Sequence, residues 1–224
     1  MNEILNSLSV CVEFGKINSA SPYPPQMKGQ EGADEITRRA LETGVKPQDI
    51  LSFGLMPGME RVGVKFRENK VFVPQVLMSA KAMSTAMIQL KPYFLSGAAT
   101  YKGTFIIGTV TGDLHDIGKN IVGMMVEGSG YKVIDLGTDV GSQKFIAAVK
   151  ENPNSVVGLS ALLTTTMANM EMITREIKES LPGTLIAIGG APVNTQFCTK
   201  IGADNYSPDP QGVVEFLDSK FVIK

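Results

Sequence analysis

The spacing of apolar residues changes character near residue 100. Up to residue 95, apolar positions recur at three- and four-residue intervals, the period of an amphipathic helix. ADEITRRALETG follows this period and stops at Gly44. KPQDILSFGLMPGMERVGVKF continues it along one side with Pro57 inside, which predicts a bend or break because proline lacks an N–H and its ring crowds the preceding turn. Pro74 opens PQVLMSAKAMSTAMIQL, a position where no backbone donor is needed. There Val76, Ala80, Met83, Met87 and Leu90 form one apolar face. A shorter helix is predicted near residues 2–14. Residues 16–32, KINSASPYPPQMKGQEG, are rich in Pro, Gly and Ser and read as a loop or linker. The methionines between residues 56 and 87 suit irregular gaps between helices.

Beyond residue 103 the apolar runs become short and continuous. TFIIGTV (104–110), YKVIDLG (131–137), SVVGLSA (155–161) and TLIAIGG (184–190) suit strands buried on both faces of a parallel sheet, with DNYS (204–207) a weaker fifth. IGKNIVGMMVEGSG, GSQKFIAAVKEN and TTMANMEMITREIKESL lie between them with helical spacing, and a last helix is predicted over 210–220. This alternation predicts a doubly wound, Rossmann-like parallel sheet. The expected fold class is therefore α + α/β, a helical bundle followed by the sheet domain. The expected divisions are an N-terminal helix and linker (1–32), a helical domain (33–96) and the Rossmann-like domain (97–224), with LSGAATYKG (95–103) at the boundary.

Composition narrows the function. A chain of 224 residues can bury a core in each part. A net charge of −1 gives no basic surface for nucleic acid or anionic membrane. No apolar run approaches a membrane span, and MNEILNSLSVCVEF is polar and acidic where a signal peptide is basic and then apolar. Cys11 and Cys198 lie far apart without CxxC spacing, which argues against a disulfide framework or a zinc site. A cytoplasmic protein is expected.

In an open parallel sheet, ligands bind at the carboxyl ends of the strands. Three segments there carry chemistry. TGDLHDIGKN (111–120) holds the chain's single histidine, His115, between Asp113 and Asp116. A neutral imidazole is a good ligand for a first-row transition metal, and a carboxylate on its other nitrogen fixes the tautomer. Both aspartates offer that. One histidine is too few for a protein-built zinc site, the segment lacks the P-loop pattern, and no glycine-flanked elbow surrounds a serine. Taken alone, it also reads as a helix-capping aspartate beside an exposed histidine. SALLTTTM brings Ser160 and Thr164–Thr166, residue types that also cap helices. GGAPVN brings Gly189 and Gly190, where backbone can lie close against something bulky or make a tight turn. Three such loops on one sheet edge describe a crevice between a metal-seeking histidine and a glycine wall.

In that order and spacing, Asp113-Leu114-His115-Asp116-Ile117-Gly118, Ser160-Ala161-Leu162 and Gly189-Gly190 resemble the cobalamin-binding domain of methionine synthase and of corrinoid methyl-carrier proteins. MPGMERVGVKF followed by KVFVPQVLMSAKAM resembles the helical cap that precedes it in that family, so the likeness covers about residues 33–220. The resemblance implies a corrinoid cofactor cycling between methylcobalamin and cob(I)alamin. His115 would replace its dimethylbenzimidazole as the lower ligand of cobalt. Asp113 and then Thr166, where the family often has serine, would complete a chain from His115 that links protonation to ligation. The displaced tail would enter a slot lined by Gly118, Ser160, Leu162, Gly189 and Gly190, with Thr164 close by. The resemblance extends the cofactor contacts to Gly112, Leu114, Asp116, Ile117, Ile121, Ala191 and Ser207. Phe66 and Val73 match cap residues over the upper corrin face. The implied role is methyl carriage from a substrate-specific methyltransferase to an acceptor methyltransferase using tetrahydrofolate or a thiol, with a reductive activase as a further partner. Such carriers serve demethylation of methyl ethers, methylamines, betaines or methanol, and methyl transfer then needs the partner proteins. An adenosylcobalamin mutase subunit or a cobalamin-sensing regulator is the alternative. The first usually lacks this cap, and the second should carry a basic DNA-binding helix.

Overall fold

A computed structural model describes residues 2–221. It divides into two compact units, one running to Tyr101 and including Gly128–Gly130, the other comprising Lys102–Glu127 and the chain from Tyr131 onward.

The first unit is helical: α1 (Asn2–Phe14), α2 (Ala33–Glu42), the short α3 (Pro47–Asp49), α4 (Met56–Arg67) and α5 (Val73–Leu95). Helix α1 is integral to it. Leu5, Leu8, Cys11 and Val12 are buried. Glu13 pairs with Arg61 and Lys65, both at 2.5 Å. A Cβ on Gly58 would stand 2.5 Å from the Ser9 carbonyl oxygen, so α1 and α4 approach backbone to backbone. The Pro-rich segment after α1 is tied down: Ala33 N–H donates to the Lys16 carbonyl at 3.0 Å and Asp34 N–H to that of Ile17 at 2.9 Å. Met59, Met83 and Met87 lie in the core. The bend or break expected at Pro57 takes the form of a change of helix type just before it. A π-helical turn over Ile50–Leu55 leads into α4, placing Pro57 in the first turn of α4, where its missing N–H is harmless. Burial pushes the Cys11 thiol up to about 11, which keeps it protonated at neutral pH.

The second unit is a five-stranded parallel sheet in the order β2-β1-β3-β4-β5, with β1 (Thr104–Thr109), β2 (Lys132–Asp135), β3 (Val156–Ser160), β4 (Leu185–Gly189) and β5 (Asn205–Tyr206). Its helices are α6 (Ile117–Gly128), α7 (Ser142–Glu151), α8 (Met167–Ser180), α9 (Thr195–Ile201) and α10 (Pro210–Lys220). The Rossmann-like expectation holds. One correction concerns YKVIDLG, expected to be buried on both faces: β2 is an edge strand with Lys132 and Asp135 exposed, the charges that discourage pairing with another chain. One face packs Ile106, Val157, Leu159, Ile186 and Ile188 against Phe145 and Ile146 of α7 and Met170, Ile173 and Ile177 of α8. The other packs Phe105, Ile107 and Val156 against Val126 of α6 and Val213, Val214 and Leu217 of α10. The order reverses between β1 and β3, which places a ligand crevice at their carboxyl ends.

Candidate functional site

Strand β1 delivers its following loop to that crevice. Asp113 is fully buried. Its Oδ1 accepts from the His115 backbone N–H at 3.1 Å and faces His115 Nδ1 at 2.8 Å. Its Oδ2 accepts from Leu162 N–H at 2.8 Å, from Leu163 N–H at 3.4 Å and from Thr166 Oγ1 at 2.9 Å. Burial alone would raise this carboxyl. The donations from Leu162, from the His115 ring and backbone and from Thr166 outweigh it and hold the group well below the usual carboxylate range. An ionised Asp113 accepts only, so Nδ1 carries the proton and the lone pair lies on Nε2. That side chain is 52% exposed. The geometry thus commits Nδ1 to Asp113 and leaves Nε2 as the ring nitrogen without that bond.

The structure chooses between the two aspartates. Asp116 accepts from Asn120 Nδ2 at 3.0 Å and stands at the start of α6, away from the imidazole bond. It also adds residues that local patterning left out. Thr109, buried at the end of β1, donates to the His115 carbonyl at 2.8 Å. Asp139 accepts from Gly112 N–H at 2.8 Å and donates its own N–H to the Asp113 carbonyl at 3.1 Å. Asn169 Nδ2 donates to the Thr111 carbonyl at 2.7 Å. These come from β1, the β2–α7 loop and α8, and only the fold assembles them.

Thr166 closes a 3-10 turn over Thr164–Thr166 and is buried, while Thr164 is exposed. Ser160 sits opposite Gly189 in the β3–β4 register. A Cβ on Gly118 or Gly189 would meet nothing within 4 Å. Gly190 differs. Its φ is +124° and a Cβ would lie 1.8 Å from the Ala161 carbonyl oxygen, so glycine is required there by the backbone itself. Leu114, Ile117, Leu162 and Leu163 are exposed around the edge, Leu114 to 74%. Ala191 is exposed beside Gly190, Ser207 accepts from Asn205 Nδ2 at 2.9 Å, and Ile121 is buried on α6. Phe66 and Val73 belong to the helical unit, on either side of the turn between α4 and α5.

Two families described as B12 binding domains match this chain, over residues 103–210 and 29–91. A trimethylamine corrinoid protein of Methanosarcina acetivorans is 39% identical over 189 residues, covering 83% of this chain and 88% of its own. The chain belongs to the corrinoid proteins. A corrinoid protein of Desulfitobacterium hafniense is 37% identical over 82% of this chain and 88% of its own. Among solved structures, the methanol:cobalamin methyltransferase complex of Methanosarcina barkeri superposes with a TM-score of 0.81 at 29% identity, covering 99% of this chain and 81% of that one. A cobalamin-binding protein from D. hafniense gives 0.72 at 30% identity, with 97% of each chain covered.

The cofactor of this corrinoid protein is a cobalamin-type corrinoid, and the residues fit one. Among the described residues no group of three or more His, Cys, Asp or Glu could hold a metal ion unaided. One imidazole suits a metal that arrives with four ring nitrogens. The apolar rim suits the face of a macrocycle, and Gly118 and Gly189 leave open space that side chains would take up. No helix among the described residues is long and apolar enough to cross a membrane.

The Asp113 carboxylate is expected to hold the β1–α6 loop and the β3–α8 turn together. Asp113→Asn turns one acceptor into a donor facing N–H and O–H groups, which should cost about 2–4 kcal/mol in urea unfolding at pH 7. The folded-state pKa is depressed, so its contribution is present above the ordinary carboxylate value and is lost as pH falls below it. Unfolding curves between pH 7 and pH 2 should therefore converge toward acid, and a gap that stays constant would show that another group sets the difference.

Proposed function

We propose that His115 is the lower axial ligand of the corrinoid's cobalt and that this chain carries a methyl group between two methyltransferases. When bound, the corrinoid supplies a cobalt centre that accepts and releases a methyl group. The chain's own part is to present Nε2, to keep the proton on Nδ1 through Asp113 and Thr166, and to lodge the nucleotide tail where Gly118 and Gly189 leave room. The observation that carries this reading is the fully buried, ionised Asp113 bonded to the imidazole of a half-exposed His115.

The helical unit, whose residues 29–91 match a B12 binding domain of their own, is read as the cap, with Phe66 and Val73 as its corrin contacts. The donor class is methylated amines, supported by the names of relatives 39–40% identical to this chain, the trimethylamine corrinoid proteins of Methanosarcina. Partners are then an amine methyltransferase that loads the methyl group, an acceptor methyltransferase that removes it, and a reductive activase. The test is reconstitution with hydroxocobalamin, reduction, and mixing with a trimethylamine, dimethylamine or methanol methyltransferase and its substrate. Methylation of the carrier with an amine system supports the donor class. Methylation only with methanol overturns that class, and none with any system overturns the carrier reading.

A further inference from the structure

The sheet face under α6 and α10 loses side-chain bulk toward its carboxyl edge. Register and strand alternation put Phe105, Ile107 and Thr109 of β1, Val156, Gly158 and Ser160 of β3, and Leu185, Ala187 and Gly189 of β4 on that face. Phe105 and Val156 pack with Val213, Val214 and Leu217 of α10 at the amino half. At the carboxyl half β3 and β4 offer only Gly158, Ser160, Ala187 and Gly189. The Phe105 ring lies across Gly158, whose added Cβ would be 2.4 Å from it, and so closes the floor. Above that floor, a Cβ on Gly189 meets nothing within 4 Å. On the opposite face β3 and β4 stay bulky to their carboxyl ends, with Val157, Leu159, Ile186 and Ile188.

Helix α10 brings a polar group to this thinned end. Its buried stripe is Pro210, Gln211, Val213, Val214 and Leu217. Gln211 stands one turn before Val214, which packs on the sheet, so both share the sheet-facing side. Because α10 begins just after β5 ends, that earlier turn lies nearer the carboxyl edge, and the Cα–Cβ bond tilts further toward it. Gln211 is 8% exposed, and its Oε1 has no hydrogen-bond partner among the described residues. A buried acceptor left unpaired is costly and calls for an explanation.

We propose that Gln211 reads the lower base of the corrinoid tail. Its Oε1 accepts a hydrogen bond from an amino- or hydroxyl-bearing base, so the protein favours such corrinoids over those with dimethylbenzimidazole. This rests on the reading of the slot as the site of the tail. The test compares dissociation constants, from absorbance titrations, of pseudocobalamin with its adenine base, cobalamin, and base-free cobinamide. Wild-type protein should bind pseudocobalamin about tenfold more tightly than cobalamin, the scale of one satisfied hydrogen bond. Gln211→Leu should bind the two equally with cobinamide unaffected, and Gln211→Glu, which keeps the acceptor, should retain the preference. Equal affinities in the wild type, or a preference that survives Gln211→Leu, would overturn the role of Gln211. If both complete corrinoids still outbind cobinamide, the slot reading stands in that case. If all three bind alike, it falls as well.

Discussion

Cobalamin bound to the His115→Ala protein is expected to lose the nitrogen-ligated absorbance of the wild-type complex while remaining associated, at an affinity lower by at least about tenfold. Loss of an outer-shell partner alone weakens metal sites by about tenfold or more, and loss of the ligand itself should weaken them at least as much. The substitution should leave the fold in place. What His115 gives its loop comes from its backbone: its N–H donates to Asp113 and its carbonyl accepts from Thr109, and alanine keeps both. The imidazole itself is half exposed, with one bond, to Asp113. Thermal unfolding of the cofactor-free protein should therefore shift little, about 1 kcal/mol or less. The decisive observation is the visible spectrum after free cofactor is removed. An unchanged spectrum would remove His115 from the coordination sphere, whatever the affinity.

The parts of this site that sequence alone reveals are the local ones. Asp113 and His115 are two residues apart on one loop, and an apolar run followed by a helix places that loop at a strand end. Gly189 and Gly190 are legible for the same reason. What decides the site's chemistry is assembled from further away. Asp113 and Asp116 are equivalent candidates along the chain, and Asp113 is singled out by the Leu162 and Leu163 N–H groups and the Thr166 hydroxyl, which fix its second oxygen. Thr109 reads as an ordinary strand residue and Asp139 as an ordinary loop residue until the fold brings them to the same loop. The edge position of β2 escapes because an apolar run does not report how many neighbours its strand has. The irregularity expected at Pro57 takes a form that hydrophobic spacing does not encode, a preceding π-turn that leaves proline at a helix start. Gln211 carries no local signal. Its interest lies in being buried without a partner, a property of the packed molecule.

The two adjacent glycines, which look interchangeable in the sequence, should respond oppositely to substitution. Gly189→Leu is expected to lower corrinoid retention by at least about a hundredfold while the protein stays folded. Its Cβ enters open space on the thinned sheet face, and the rest of the side chain takes up room that the tail would need. A hundredfold corresponds to about 2.7 kcal/mol, modest for a bulky group placed where a ligand must lie. Gly190→Ala should act on the fold. Its φ of +124° is one that side chains rarely adopt, and the new Cβ would collide with the Ala161 carbonyl, itself fixed beside β4 by the bond from Ala161 N–H to the Gly189 carbonyl at 3.1 Å. Relief requires the end of β4 to move, at a cost of about 3 kcal/mol or more. For a unit of roughly 120 residues that is a fall of about 12 °C in Tm. Measuring Tm and cobalamin retention on both variants separates the roles. A Gly189→Leu protein that keeps its cofactor and its Tm would place the tail elsewhere. A Gly190→Ala protein of unchanged Tm would mean that the strand end yields more easily than its hydrogen bonds indicate.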